Sequence, residues 1–464
     1  MITLQASEIA RIVDGVLHGQ DTSVSGSAQI SSASCVEGSI FIALKGERVD
    51  GHDFIDDAFA RGAVLALVDH QVSQRCIVVG DVTIALAALA RYVREQLPEL
   101  KVIGITGSQG KTTTKELLFS VLSGKNATVA PRGNHNNELG VPLTLLLCDE
   151  ETKFCIVEMG ARHIGDISYL CSIAKPDIGV VLRVAAAHLG EFGSIENIAQ
   201  AKSEMISGLN GKGIAIVGDY DVFTPQMKSL HTSKTFLFGE KPHDDIRAAD
   251  IELRDGRAHF DLVTPDGRSP VALRLLGVHQ IANALAAATV AHALGMNSEE
   301  ISGALSLAQS QASWRMELHE LPDLLLINDS YNASPDSMEA ALRTLAHLSQ
   351  ERGGESWAFI GKMAELGESS PAEHASIGTL ASEIGIDHLV AIATPEYGVA
   401  LSDSRSTSLH LCGDQSQALE LLAYMNRGDV VLIKASRSER FEELARAIEE
   451  FWMNKIENEM VENS

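Results

Sequence analysis

Short apolar runs recur along the chain, and most are followed by a stretch whose apolar residues fall three or four positions apart. SIFIAL (39–44), VLALVD (64–69) and CIVVGD (76–81) predict strands, with a helix over 52–63 between them. TIALAALARYVREQL (83–97) has amphipathic helical spacing, and Pro98 behind it marks a boundary. KVIGIT (101–106), FCIVEM (154–159), DIGVVLRV (177–184), GIAIVGD (213–219) and KTFLFG (234–239) are strand-sized apolar pieces separated by helical segments. That alternation predicts a parallel sheet covered on both faces. Over 245–278 the texture changes. Asp-Gly pairs at 255–256 and 266–267 predict antiparallel hairpins, and a helix over 281–295 follows. From about residue 313, LLLIND (324–329), WAFIGK (357–362), HLVAIA (388–393) and DVVLIKA (429–435) repeat the strand–helix alternation. The expected fold is therefore α/β in three domains. Residues 1–97 form a small α/β domain, 98–312 a P-loop-type doubly wound ATPase domain, and 313–464 a Rossmann-like α/β domain.

The length of 464 residues suits three domains of ordinary size. Lys plus Arg number 37 against 62 Asp plus Glu, a net charge of −25, which argues against nucleic acid as a partner. It leaves room for an anionic small molecule held by local amides and a few cations. No apolar stretch reaches the length of a membrane span, and the N-terminus lacks a basic patch followed by an apolar core. The six cysteines show no CxxC pair and sit mostly in apolar strings. A cytoplasmic chain with free thiols and no membrane insertion is expected, acting as a monomer.

The strongest local chemistry is TGSQGKTTTKE (106–116), placed between a buried strand and a helix. Glycines let successive backbone N–H groups turn toward a phosphate, a lysine neutralises the outer phosphates, and a hydroxyl ligates Mg²⁺. Gly107, Gly110, Lys111 and Thr112 fill these places, although Ile105 stands where the usual P-loop has its first glycine. By itself the loop implies a bound nucleoside triphosphate.

Other residues leave two readings open. Glu158 ends an apolar strand and is either a metal-site acid or a solvent-facing terminus. His188, just past another strand end, is either a site residue or a structural histidine. Lys202, in the helix SIENIAQAKSEMI, reads on the residues alone as a solvated lysine. The Asn-rich NHNNELGVP string (134–142) suits either a polar ligand or a capped loop. Asp329, at a strand's carboxyl end, could hold a ribose hydroxyl or a phosphate-bound water, and Arg315 could reach a γ-phosphate from outside the loop domain.

Assembled in order, these strings resemble the Mur ligase family. The resemblance runs through ALKGERVDGHDF (43–54), TGSQGKTTTKE, NHNNELGVPLTLL, EMGA, AHLGEFGS, GVHQIANALAA (277–287), WRME (314–317), NDSYNASPDSM (328–338) and GKMAELG (361–367). NHNNELGVP and DSYNASPDSM point to the branch that joins D-alanyl-D-alanine to UDP-N-acetylmuramoyl-tripeptide. The resemblance implies ATP held by Gly107, Ser108, Gln109, Gly110, Lys111, Thr112, Thr113, Asn283, Arg315 and Asp329. It implies Mg²⁺ at Thr112, Glu158, His188 and Lys202, with CO₂ carried as a carbamate on Lys202, which reverses the solvated-lysine reading. Lys111, Glu158, His188, Lys202 and Arg315 become the catalytic set. Lys45, Asn134, Asn136, Asn137 and Asn332 become substrate contacts. Three positions depart from the family pattern: Ala33 where an Arg of the sugar-nucleotide site is usual, Lys362 where Asp is common, and Ala435 where Gly is common. The implied reaction is ATP-dependent amide formation through an acyl phosphate. Alternatives are another Mur-type amide ligase, adding the third residue or glutamate, and a P-loop ATPase switch.

Overall fold

The computed structural model describes the chain except residues 47–48, 132, 134, 187–188, 310–312, 400–406 and 463–464, and it leaves out the side chains from 460 on. Among the described residues three sheets organise the fold, apart from one two-stranded ribbon near the N-terminus. The first sheet has five strands, in the order Val16–His18, Cys76–Val78, Ala63–Val68, Ser39–Ile42 and Ala28–Gln29. Its pairs are parallel except at Val16–His18. The single helix expected over 52–63 is instead a 3₁₀ turn, Gly51–Phe54, followed by the helix Ile55–Ala60. The Asp50 carboxylate accepts the His52 N–H at 3.0 Å and fixes that tighter start, while Ala63 is already paired with Ser39 as sheet.

Asp81 caps the helix Val82–Gln96 by accepting the N–H groups of Thr83 and Ile84 at 2.8 and 2.9 Å. Its apolar face carries Val82, Leu86, Leu89 and Val93. These share one core with Val102, Val157, Met159 and Ile167 of the next domain. The first domain is thus joined to the second through a continuous apolar interior.

The central sheet has nine strands: Gly267–Leu276, Arg257–Thr264, Ile246–Arg254, Thr235–Gly239, Ile214–Gly218, Ile178–Val181, Lys101–Thr106, Phe154–Glu158 and Thr128–Val129. Pairing is parallel from the last of these to Ile246 and antiparallel over the two expected hairpin pairs. Helices Lys111–Ser123 and Gln280–Ala293 bury one face of the sheet, and Asp166–Ala174 and Ile195–Ser207 the other. The carboxyl ends of Lys101–Thr106, Phe154–Glu158 and Ile178–Val181 therefore lie side by side, where open α/β sheets take ligands.

The third sheet runs Glu317–Leu321, Leu324–Asn328, Val430–Lys434, Ser356–Ile360, His388–Ile392 and Ser408–Cys412. Only its first strand is antiparallel, folding back through a turn in which Asp323 has φ +57°. Two cores cover its faces. Among the described residues no helix is long and apolar enough to cross a membrane.

Candidate active site

The strand Lys101–Thr106 is buried from Val102 onward and delivers the chain to the glycine-rich loop. Gly110 opens the helix Lys111–Ser123 in the left-handed region, φ +80°. A Cβ there would lie 2.2 Å from Asn283 Oδ1, so the loop and the helix Gln280–Ala293 approach as closely as only glycine permits. Ser108 is pinned from both sides: its Oγ donates to Ala185 O and accepts Ala185 N–H, both at 2.9 Å. Lys111 curls back over the loop and donates to Gly107 O at 2.8 Å. Burial lowers its pKa, the Glu158 carboxylate opposes that shift, and the Arg315 cation adds to it.

Glu158 ends the strand Phe154–Glu158 and is 1% exposed, which excludes the solvent-facing reading. Its two oxygens accept Thr112 Oγ1–H and Asn136 Nδ2–H, each at 2.9 Å. A buried carboxylate beside a hydroxyl and an amide is a hard oxygen donor set, and it fits Mg²⁺. Asn283 donates to Gln280 Oε1 at 2.8 Å and accepts from Thr114 Oγ1 at 3.3 Å, which fixes it against the glycine-rich loop.

Lys202 is 3% exposed, so the solvated-helix reading fails. It stands on the apolar stripe of the helix Ile195–Ser207, with Ile198, Met205 and Ile206. Its Nζ lies 5.9 Å from the centre of the Phe192 ring. Burial, assisted by the nearby Lys111 charge, lowers its pKa to about 7. Burial thus favours the uncharged amine over the ammonium.

The third domain faces this loop. Asp329 follows the strand Leu324–Asn328; its Oδ1 accepts Met316 N–H at 3.1 Å and its Oδ2 accepts Lys434 Nζ at 2.5 Å. Arg315 lies with its guanidinium carbon 3.8 Å from the centre of the Tyr331 ring. Its neighbours Trp314 and Met316 both have positive φ, +62° and +50°. Gln109 donates across the junction to Ser334 Oγ at 3.1 Å and Asp336 Oδ2 at 3.3 Å.

These groups line one cleft of about 1110 Å³. It gathers Gly107, Ser108, Gln109, Gly110, Lys111, Thr112, Thr113, Asn136, Asn137, Glu158, Lys202, Asn283, Arg315, Asp329 and Asn332. Lys45 is not part of that lining; it pairs by a single bridge with Asp50 in the first domain. Asn134 and His188 lie outside the described residues. The first domain reaches the cleft at Ile30.

Sequence reasoning missed Lys434, Arg183 and His279. Lys434 is 2% exposed and ends an apolar strand, the same signal that singled out Asp329. Arg183 follows the strand Ile178–Val181 and lies 3.9 Å from Asp336. His279 is held neutral, its pKa lowered to about 4 by burial. Only its place in the GVHQIANALAA string hinted at it.

Comparison with known proteins identifies three matching stretches. Residues 25–111 match the Mur ligase family catalytic domain, 105–291 the Mur ligase middle domain, and 314–437 the Mur ligase glutamate ligase domain. A UDP-N-acetylmuramoyl-tripeptide–D-alanyl-D-alanine ligase of Mycobacterium bovis is 38% identical, over 94% of this chain and 96% of that one. Among solved structures, MurF from Acinetobacter baumannii superposes with a TM-score of 0.87 at 34% identity, covering 97% of this chain and 99% of the other. MurF ligase from Thermotoga maritima in complex with ADP gives 0.80 at 31% identity, covering 93% and 99%.

Proposed function

The chain belongs to the Mur ligase family, and from that premise we propose that it joins D-alanyl-D-alanine to UDP-N-acetylmuramoyl-tripeptide at the expense of ATP. The observation that carries this reading is the shared cleft. Lys111 and Glu158 from the second domain face Arg315 and Asp329 from the third, so a triphosphate and a second substrate can meet there.

The tripeptide's terminal carboxylate attacks the γ-phosphorus; its P–O bond forms as the bond to ADP breaks, leaving an acyl phosphate. The dipeptide's amine then attacks the carbonyl carbon, loses a proton, and the collapsing intermediate releases phosphate and the amide. Two anions must approach in the first step, so charge neutralisation and alignment are the protein's main work. The N–H groups of the loop at 107–113 cradle the phosphates, Lys111 Nζ swings from Gly107 O to them, and Arg315 meets the outer phosphate from the third domain. Thr112 and Glu158 would hold Mg²⁺, and His188 completes the expected ligands. The ion, when bound, offsets charge on the phosphate oxygens.

Lys202 in its neutral form adds through Nζ to the carbon of CO₂ and releases one N–H proton to solvent, giving a carbamate. That places an anion where the lysine would otherwise be a neutral amine or a cation, beside the metal group, and its depressed pKa supports this step. Asn283 positions the adenine end and Asp329 the sugar end of the nucleotide. Residues 1–97, with Lys45, take the UDP-sugar; residues 98–312 take ATP; and residues 313–464 take the dipeptide, Asn136, Asn137 and Asn332 contacting the substrates. All six cysteines are free and buried, in keeping with work in the reducing cytoplasm, and the enzyme acts as a monomer.

The test is mass spectrometry of the products formed from ATP, the UDP-tripeptide and several dipeptides. UDP-MurNAc-pentapeptide should form with D-alanyl-D-alanine, together with one ADP and one phosphate. ATP hydrolysis that ignores both acceptor and donor would overturn the assignment in favour of an ATPase.

A further inference from the structure

Away from the cleft, the first domain gathers two histidines around one carboxylate. Asp69 and His70 follow the strand Ala63–Val68, and His52 lies in the turn Gly51–Phe54. His52 Nδ1 is 2.7 Å from Asp50 Oδ1, which also accepts the His52 backbone N–H at 3.0 Å. A carboxylate only accepts, so Nδ1 carries the hydrogen and Nε2 of the neutral ring is left with a bare lone pair. That nitrogen is buried without a hydrogen-bond partner, in a side chain only 8% exposed. It points at Asp69 Oδ1, 3.2 Å away. His70 Nδ1 approaches the same oxygen at 2.5 Å, and the two rings stack with centres 4.3 Å apart.

A lone pair facing an anion is repulsive unless positive charge lies between them. By the rule that a carboxylate only accepts, His70 Nδ1–H donates to Asp69 in the metal-free protein; once that hydrogen stands on Nε2 instead, one divalent ion satisfies both nitrogens and the carboxylate together. The three donor atoms already lie within 4.8 Å of one another. Two imidazoles and a carboxylate suit a borderline ion of the zinc class better than Mg²⁺. The Asp50–His52 contact is the outer-partner arrangement that orients a metal-binding histidine. We propose that His52, Asp69 and His70 form a divalent transition-metal site that ties the turn Gly51–Phe54 to the end of the strand Ala63–Val68. None of the three lines the ligase cleft, and the bridge from Asp50 to Lys45 makes the stapled turn the support of an expected substrate lysine.

The experiment uses the full chain without an affinity tag, stripped by chelator, with saturating Mg²⁺ and ADP to fill the cleft. Zn²⁺ is then added in competition with a chromophoric chelator. The wild type should bind one equivalent, and His70→Ala and Asp69→Asn should each weaken it by at least about tenfold. Both side chains are well exposed, so the variants should melt like the wild type without zinc, whereas zinc should raise the melting temperature of the wild type alone. Asp219, His243 and Asp244 form the other such cluster among the described residues, and His243→Ala serves as the parallel variant. No zinc bound by the wild type, or binding lost in His243→Ala and kept in His70→Ala and Asp69→Asn, would overturn the proposal.

Discussion

At the residue scale, the chemistry rests on cations whose neighbours decide their state. Lys111 donates to one backbone carbonyl in the loop and faces an opposing carboxylate, and in the proposed reaction it exchanges that carbonyl for phosphate. Lys111→Ala should lower kcat by about 10²–10³-fold with little change in the melting temperature, measured by phosphate release. Lys202 differs because its burial favours the uncharged amine. Between its folded pKa of about 7 and its ordinary 10.5, the unfolded chain binds a proton that the folded chain does not. Its burial penalty therefore fades as pH rises through that window and is complete below it, so stability gains with pH. Urea titrations in CO₂-free buffer should show the wild type gaining on Lys202→Met from pH 7 to 10; equal slopes would contradict this. Lys202→Ala should also remove most turnover, with partial rescue by short carboxylic acids. Lys434 pairs with the Asp329 carboxylate in a nearly buried ion pair. Lys434→Met should cost about 3 kcal/mol in urea unfolding, because it strands a buried carboxylate. Lys202 was readable as a core-face residue from its spacing to Ile198, Met205 and Ile206, had helical periodicity been given more weight than its charge. The direction of Lys111 and the tie between Lys434 and Asp329 were not legible, since partners 105 residues apart leave no local pattern.

At the element scale, the glycine-rich turn and the helix behind it act as one device. Gly110→Ala forces a Cβ against Asn283 in a backbone region that L side chains avoid, so nucleotide binding should fall sharply by calorimetry. Gly124, at the other end of the same helix, has φ −67° and open space around it. Gly124→Ala should leave binding unchanged and hold or slightly raise stability. The central strands were legible because a doubly covered parallel strand is apolar throughout, and the hairpins because Asp-Gly turns are locally encoded. The antiparallel edge strand Glu317–Leu321 was not: its residues are only partly buried and lack a clear alternation. The break between Gly51–Phe54 and Ile55–Ala60 was also hidden, because it depends on one side-chain cap at Asp50.

At the scale of the whole molecule, the proposed reaction requires the third domain to sit against the second. Backbone bonds tie Arg315's neighbours to that domain: Trp314 N–H to Glu317, Met316 N–H to Asp329, and Tyr331 N–H to Trp314 O. Arg315 therefore travels with the third domain when that domain rotates. Among the described residues the polar contacts to the second domain include Gln109 to Ser334 and Asp336, Arg183 to Asp336, and Gly190 N–H to Glu365 O, while Leu276 of the second domain packs into the third domain's apolar core. A junction of this kind suits repeated opening. Small-angle scattering should show a smaller radius of gyration with an ATP analogue and both substrates than without them; identical curves would count against closure.

The central claim is that the γ-phosphoryl group passes to the peptide's carboxylate before the amide forms. The direct measurement supplies UDP-MurNAc-tripeptide labelled with ¹⁸O in its terminal carboxylate, together with ATP and D-alanyl-D-alanine, and weighs the phosphate released. The account predicts one ¹⁸O in each phosphate for each amide made. Phosphate that carries only solvent and ATP oxygens, formed alongside the amide, would contradict it.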